Sequence, residues 1–275
     1  METGGVVSYN ILTDWNDPDG DDIFLQEVTT DGGDEVEFTS DGQIGIVYNG
    51  ELYNFHALRS ELTRRGHHFA SGTDTEVIVH AYEEFGDDCV RHFNGMFAFA
   101  IWDTSSRTLY AARDRFGEKP LLYAHDGKRL AFGSDLIACE AMLGQTRAID
   151  AAALRALFAL RFVPEPWSIA HGVRKLPPGH WLKFGSSGLE IGRWYDLATK
   201  RAPTIADADA ARQGLRERLD AAVKARLVSD VPVGVFLSSG IDSALVAASV
   251  AAQGARLKTF TVGFNGAGAY YEERP

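Results

Sequence analysis

A short polar loop between two apolar segments has the clearest potential for chemistry in this sequence. The apolar residues 233–237 run into Ser238-Ser239-Gly240-Ile241-Asp242-Ser243, and an alanine-rich segment follows. This order predicts a strand, a turn and a helix, with a second strand at residues 258–264. Hydroxyls and backbone N–H groups at a helix start attract anions, so the loop predicts a phosphate site; a serine-capped helix without a ligand is the alternative. The loop matches neither the P-loop nor the dinucleotide GxGxxG pattern.

A second group of polar residues lies in the first half of the chain. Asn49 and Gly50 follow an apolar segment, and Asn-Gly readily forms a type I′ hairpin turn without any ligand. Glu51 and Asp74 add two carboxylates, but their separation in sequence says nothing about distance. Asp74 lies in Thr73-Asp74-Thr75-Glu76, which has the form of a capping box, so a helix cap or a solvated charge is its simpler interpretation.

Composition excludes several classes of protein. Twenty-seven basic and 38 acidic residues give a net charge of −11, which argues against a sequence-independent nucleic-acid binder. There is no basic segment followed by an apolar stretch at the start and no long uncharged apolar run, so we expect a cytoplasmic protein without membrane association. Cys89 and Cys139 are too few for a disulfide framework or a zinc site and are expected to be reduced, apolar residues. The eight histidines show no metal-ligand spacing, and we expect them on the surface or hydrogen-bonded.

The chain divides by pattern into four segments. Residues 1–42 are rich in Asp, Gly and Thr and are expected to be weakly ordered. Helical patterns alternate with short strands in residues 43–148, which predicts an α+β layered domain. A helix, a proline-rich connector and a hairpin are predicted for residues 149–200. A helix and one βαβ unit are predicted for residues 201–275. The main predicted helices are 55–65, 77–85, 151–162 and 208–227, and the main strands are 44–48, 96–102, 108–112, 121–124 and 130–132.

Two sets of sequence motifs occur in this chain in the same order as in one known family. The first half contains Asn49-Gly50-Glu51-Leu52-Tyr53-Asn54, Thr73-Asp74-Thr75-Glu76, Gly95-Met96-Phe97-Ala98-Phe99-Ala100 and Asp114-Arg115-Phe116-Gly117-Glu118-Lys119-Pro120. The second half contains Arg174-Lys175-Leu176-Pro177-Pro178-Gly179-His180 and the loop at residues 238–243. Over residues 43–275 the chain resembles the glutamine-hydrolysing asparagine synthetases.

The resemblance implies a fold and a reaction. The expected fold is α+β and then α/β: an αββα glutaminase domain of the N-terminal-nucleophile type, followed by the beginning of a parallel-sheet ATP-pyrophosphatase domain. In this family a glutaminase domain frees ammonia from glutamine, and a synthetase domain uses ATP to adenylate aspartate, which ammonia converts to asparagine. The implied partners are therefore glutamine, aspartate and ATP with Mg²⁺, without nucleic acid or membrane, and the resemblance is compatible with a homodimer.

The resemblance also assigns roles to single residues. Asn49 and Gly50 match the oxyanion hole, and Glu51 and Asp74 match the carboxylates that hold the α-amino group of glutamine. The residues that match the ATP site are Leu237, Ser238, Ser239, Gly240, Asp242, Ser243 and Val262. In that set Asp242 is the expected Mg²⁺ ligand, Ser239 stands where the family most often has glycine, and Leu237 and Val262 would contact adenine unless they are ordinary strand-core residues. Arg115 is expected to pair with a carboxylate.

The chain departs from the family at both ends. The family has a nucleophilic Cys directly after the initiator Met, whereas residue 2 here is Glu2, and the arginine and His-Arg-Gly-Pro-Asp motifs of the early region have no counterpart. We therefore expect no glutaminase activity from this chain. A doubly wound sheet needs more strands than residues 201–275 supply, so we expect an incomplete synthetase domain. The alternatives are a non-catalytic fragment or pseudoenzyme that retains partial ATP binding, and a related ligase of the β-lactam synthetase type.

Overall fold

The computed structural model describes residues 35–38, 44–127, 129–200, 205, 207–228, 232–254 and 258–262. The chain divides into two compact units, Met1–Lys200 and Arg201–Pro275. Most of the segment 1–42 that was expected to be weakly ordered lies outside the described residues. Its residues 35–38 form a strand. Within the described residues, no helix combines the length and apolarity that crossing a membrane requires.

The first unit contains nine strands and four α-helices among its described residues. The strands are β1 Glu35–Phe38, β2 Ile44–Leu52, β3 Gly95–Asp103, β4 Thr108–Arg113, β5 Leu122–His125, β6 Leu130–Gly133, β7 Val173–Lys175, β8 His180–Gly185 and β9 Gly188–Arg193. The helices are α1 Phe55–Arg64, α2 Asp74–Phe85, α3 Leu136–Leu143 and α4 Ala151–Leu160, with a 3₁₀ segment at Gly86–His92. One antiparallel sheet has the order β1-β2-β3-β4-β8-β9, and a second has the order β6-β5-β7.

Strand β3 shows how the layers are built. Side chains alternate across a strand. Phe97, Phe99 and Ile101 are buried with residues of α1 and α2, whereas Ala98 and Ala100 are buried with residues of the second sheet. Large side chains fill the space under the helices, and small ones let the two sheets approach.

The second sheet is covered in turn by helix α3. Ala124 of β5 and Ala131 of β6 are buried together with Cys139 and Leu143 of α3. The order of layers is therefore helix, sheet, sheet, helix. This order confirms the αββα fold expected for residues 43–148.

The segment after residue 148 is part of the same layers. Strand β8 pairs with β4 through Ala111 and Leu182, and β9 pairs with β8, so the predicted hairpin extends the first sheet. Strand β7 pairs with β5 in the second sheet. The hairpin was placed in a separate connecting segment because its pairing with β4 is not visible in local sequence.

The second unit contains a single parallel strand pair among its described residues. Helix α5 spans Ala208–Ala225, and β10 Gly234–Phe236 leads into α6 Ile241–Ala252 and β11 Lys258–Phe260. Strands β10 and β11 are parallel, with Val235 opposite Thr259. The predicted βαβ unit is therefore present. The strand predicted for residues 258–264 ends at Phe260, and its last two residues lie outside the described part of the chain.

Candidate functional site

Asn49 lies inside strand β2, where it faces the second sheet. Strand β2 continues to Leu52, and Asn49 pairs with Ala98 of β3. The Asn49 side-chain nitrogen donates to the Ser134 hydroxyl at 3.3 Å, and Ser134 connects β6 to α3. The hairpin-turn interpretation of Asn49-Gly50 is therefore wrong, because long-range pairing with β3 holds both residues extended.

Gly50 lies where strand β2 is in close contact with the backbone of β3. A Cβ atom built on Gly50 would be 2.2 Å from the Met96 carbonyl oxygen and 2.8 Å from the Phe97 Cα. Gly95 has the reciprocal relation, because its Cβ would be 2.2 Å from the Glu51 carbonyl oxygen. Side-chain carbon at either position would collide with the facing backbone, so both positions require glycine.

Asp74 ties the start of helix α2 to strand β2. Its Oδ2 atom accepts from the Leu52 N–H at 2.8 Å and from the Tyr48 hydroxyl at 3.0 Å. Glu51, which is exposed, is adjacent to Leu52. The structure therefore brings Asp74 to the end of β2 that carries Asn49, Gly50 and Glu51.

Helix α2 begins at the predicted N-cap, Thr73. The Thr73 hydroxyl accepts from the Glu76 N–H at 3.2 Å. The Glu76 carboxylate binds the N–H groups of Ala70 and Ser71. Glu76 therefore holds the preceding loop, which fixes the approach to Asp74.

A buried carboxylate organises the turn after strand β4. Asp114 is 1% exposed, and its carboxylate accepts backbone N–H groups at 3.0–3.2 Å. Its four donors are Phe97, Phe116, Glu118 and Lys119. One of these lies on β3 and the others in the turn, so Asp114 fastens the turn to the sheet. The motif that begins at Asp114 was recognised in the sequence, but these partners were not.

Arg113 is the arginine that pairs with a carboxylate in this region. Its Nη1 atom donates to Glu165 Oε1 at 2.6 Å and to the Leu176 carbonyl at 2.7 Å. Arg115, for which a carboxylate was expected, lies over the rings of Trp194 and Tyr195 at 5.6 and 5.5 Å. The ion pair is therefore made by Arg113, two residues before Arg115. Arg113 points inward from the end of β4, where backbone carbonyls and the Glu165 carboxylate surround it.

Both cysteines are buried and unreactive. Burial raises the pKa of the Cys89 thiol far above its usual range, and it raises that of Cys139 to about 12. Cys89 belongs to the cluster under α1 and α2, and Cys139 to the cluster under α3. Since the thiolate is the nucleophilic form, neither residue is a nucleophile in the folded protein.

In the second unit, the polar loop closes on itself through its serines. The Ser243 hydroxyl oxygen accepts from the Ser238 N–H at 3.2 Å and lies 3.1 Å from the Ser238 hydroxyl oxygen. The Ser238 hydroxyl also accepts from the Gly240 N–H at 3.2 Å. Gly240 is the N-cap of α6 and has no side-chain cap. The hydroxyls and the helix start therefore lie together, as the phosphate-site prediction requires.

The remaining predicted ATP-site residues flank this loop. Ser239 is exposed and does not adopt a positive φ, so it does not need the conformational freedom of glycine here. Asp242 is exposed in the first turn of α6. The Leu237 backbone bonds to Phe260 and Thr261. Val262 is 59% exposed.

Sequence analysis missed one cluster of potential metal ligands. His67, His80 and Glu83 each place a ligand atom within 4.8 Å of the other two. His67 and His80 are hydrogen-bonded, as was expected of the histidines, but their approach to Glu83 was not anticipated. The spacing of His80 and Glu83, three residues apart on α2, was visible in the sequence. His67 comes from the connection between α1 and α2, and only the fold brings it there.

Comparison with known proteins places this geometry in a family. The model of the glutamine amidotransferase domain matches residues 28–195, and the asparagine synthase model matches residues 214–275. Asparagine synthetase [glutamine-hydrolyzing] 3 of Bacillus subtilis is 42% identical over 207 residues, which cover 75% of this chain and 33% of that protein. Asparagine synthetase [glutamine-hydrolyzing] of Zea mays is 34% identical over 251 residues, which cover 85% of this chain and 36% of that protein.

Among solved structures, the glutamine phosphoribosylpyrophosphate amidotransferase of B. subtilis covers 88% of this chain, and the match covers 51% of that structure, with 17% identity and a TM-score of 0.42.

The layered first unit and its family match define a glutamine amidotransferase domain, followed by an asparagine synthase segment. The chain belongs to the family of glutamine-hydrolysing asparagine synthetases. It spans about a third of the length of the curated relatives named above.

Proposed function

We propose that this chain is part of an ATP-dependent amidotransferase that makes asparagine from aspartate. The observation that carries the proposal is that a glutamine amidotransferase domain and an asparagine synthase segment occur in that order on one chain. In the proposed reaction, the aspartate side-chain carboxylate attacks the α-phosphorus of ATP, which forms an aspartyl-adenylate and releases pyrophosphate. Ammonia, released when water hydrolyses glutamine to glutamate, then displaces AMP and forms the amide.

The glutamine site is proposed at the end of strand β2. The Asn49 amide and the Gly50 N–H would stabilise the oxyanion, while the Glu51 and Asp74 carboxylates would hold the α-amino group. Support comes from the 2.8 Å bond between Asp74 and the Leu52 N–H, because it brings α2 to the strand that carries the other three residues.

The hydrolysis step itself is not assigned to this chain. Its two cysteines are buried with raised pKa values. We expect a glutamine-analogue electrophile to leave the folded chain unmodified, as measured by intact mass. Stoichiometric modification of one residue would contradict this expectation.

The ATP site is proposed at the start of helix α6. The hydroxyls of Ser238 and Ser243 and the N–H groups of Ser239 and Gly240 would bind phosphate oxygens, exchanging the internal bonds of the loop for bonds to the nucleotide. Leu237 and Val262 would contact adenine.

Mg²⁺ fits this arrangement, with Asp242 as its protein ligand. Mg²⁺ commonly binds one or two carboxylates together with phosphates and water, and Asp242 is an exposed carboxylate in the first turn of α6. When bound, the ion would shield the charge of the phosphates.

Exchange of labelled pyrophosphate into ATP in the presence of aspartate tests the synthetase proposal. Aspartate-dependent exchange that is lost in Ser243→Ala, but kept in Ser186→Ala in the turn between β8 and β9, would support it. ATP binding without exchange would instead support the second candidate, a non-catalytic protein that retains part of the ATP site. Exchange with another carboxylate in place of aspartate would point to a ligase of the β-lactam synthetase type. A homodimer, a cytoplasmic location and the absence of nucleic-acid partners stay predictions.

A further inference from the structure

Two imidazole rings and a carboxylate converge on helix α2. His67 lies in the connection between α1 and α2, whereas His80 and Glu83 lie three residues apart on α2. The two Nδ1 atoms are 3.3 Å apart. Glu83 Oε2 is 3.5 Å from the Nδ1 atom of His67 and 2.6 Å from that of His80. Three potential ligand atoms therefore face one another from two parts of the chain.

These distances are close to those of a tetrahedral zinc site. Zinc bonds of about 2.0–2.1 Å at tetrahedral angles put neighbouring ligand atoms about 3.3 Å apart. Two of the three distances lie within a few tenths of that value. The third, between His80 and Glu83, must lengthen, and the Glu83 side chain is 31% exposed and able to rotate. Two histidines and one carboxylate are ligands that zinc accepts, with water in the fourth position.

Outer contacts already orient the two rings. Glu84 Oε2 lies 3.1 Å from His67 Nε2, the nitrogen that does not face the cluster. The His80 ring is hydrogen-bonded to the backbone of His68, and its Nε2 lies 3.8 Å from Glu76 Oε1. Metal-binding histidines commonly use their second nitrogen in this way, which fixes the tautomer and leaves the other nitrogen for the ion.

The surroundings favour a small cation that enters from solvent. The His67 and His80 side chains are each 16% exposed, so they are largely covered but still accessible. The carboxylates of Glu76, Glu83 and Glu84 lie near them, and Arg65 pairs with Glu84. A divalent ion would be attracted by this excess of negative charge.

We propose that His67, His80 and Glu83 bind a divalent transition-metal ion, with zinc as its first candidate. The bound ion joins the loop before α2 to the second and third turns of that helix. It thereby fixes the segment that leads to Asp74, the first residue of α2. The site is separate from the proposed glutamine and ATP sites, and its test does not depend on them.

Calorimetric titration with zinc chloride tests the proposal on the full chain without an affinity tag, after dialysis against a chelator. We expect one equivalent to bind. His80→Ala and Glu83→Gln should each weaken the affinity at least tenfold, and Glu84→Gln about 10- to 100-fold. His68→Ala is the matched control, because His68 is exposed, contributes only its backbone and should leave the affinity unchanged.

Two further measurements keep the result independent of folding defects. Zinc should raise the melting temperature of the unmodified chain and not that of Glu83→Gln, whose amide keeps the side-chain shape. Cobalt(II) should give the absorption bands of a tetrahedral complex in the unmodified chain only. The proposal is overturned if zinc does not bind stoichiometrically, or if His80→Ala and Glu83→Gln bind it as tightly as the unmodified chain.

Discussion

Asp114 shows how one side chain holds a region of this protein together. A buried carboxylate is costly unless hydrogen bonds satisfy its oxygens, and here backbone N–H groups from β3 and from the turn after β4 do so. The Asp114 carbonyl also accepts from the N–H of Gly179, which precedes β8. Three parts of the chain therefore meet at this residue.

The substitution Asp114→Asn should destabilise the first unit strongly. The amide presents one oxygen and one NH₂ group, so donors that now face a carboxylate oxygen would face another donor. We expect a loss of about 3 kcal/mol in the free energy of unfolding, measured by urea denaturation followed by circular dichroism. The control is Asp88→Asn, because the Asp88 side chain is 71% exposed. This substitution should lower the free energy of unfolding by about 0.5 kcal/mol or less. Equal losses in the two variants would contradict this account.

At the residue scale, the sequence could be used to recognise motifs, but not to predict which residues their side chains contact. Asn49, Gly50 and Asp74 could be recognised because their types and order match a family pattern. That Arg113, rather than Arg115, pairs with a carboxylate could not be predicted, because Glu165 lies 52 positions away and only the fold brings it near. The histidine cluster was missed for the same reason, since His67 reaches α2 through a loop.

Strands β2 and β3 form a closely paired element with a glycine on each strand. Gly50→Ala should push the facing Met96 carbonyl away, because a backbone oxygen cannot swing aside as a side chain does. We expect a loss of about 3 kcal/mol in the free energy of unfolding. Gly72→Ala is the matched control: its Cβ would meet no atom within 4 Å, so a change within about 0.5 kcal/mol is expected. Comparable stability of the two variants in urea denaturation would show that the strands tolerate separation here.

Helix α4 begins at a cap whose charge depends on pH. The N–H groups of Ala153 and Ala152 donate to the Asp150 carboxylate and lower the pKa of Asp150 below its ordinary value of 3.8. A lowered folded-state pKa contributes stability above the ordinary value, and this contribution is lost as the pH falls through the folded-state pKa.

We therefore expect the melting temperature of the unmodified chain to exceed that of Asp150→Asn at about pH 6 and the two to converge towards about pH 3. The asparagine retains a capping oxygen without titrating, so it isolates the charge. A difference that stays constant over this range would argue against a role for the charge.

Helices and strands that neighbouring residues determine could be predicted closely from the sequence. Strands whose extent depends on pairing with residues far away in the sequence could not. Helix α2 was predicted from the capping box that begins at Thr73 and the helical pattern that follows it. Strand β2 was expected to end before Asn49-Gly50, because that pair forms turns in isolated sequence. Its pairing with β3, where Asn49 lies opposite Ala98, extends the strand and is not encoded nearby.

At the scale of the whole molecule, the hydrophobic clusters that hold the layers lie in the first unit. The three clusters draw their buried residues from positions between 44 and 194. A chain that ends at Lys200 should therefore fold by itself. We expect it to unfold cooperatively on heating, at a temperature within a few degrees of the corresponding transition in the full chain. Loss of cooperative unfolding in the shortened chain would show that residues 201–275 are needed for the fold.

The division into two units has an optical consequence. The five tryptophans of the chain are Trp15, Trp102, Trp167, Trp181 and Trp194, and all of them fall within Met1–Lys200. Trp194 is buried and donates its indole N–H to the Arg113 carbonyl at 3.2 Å. Intrinsic fluorescence excited at the indole band therefore comes from the first unit alone. Since residues 201–275 contain no tryptophan, a direct optical probe of nucleotide effects on the second unit has to be another chromophore.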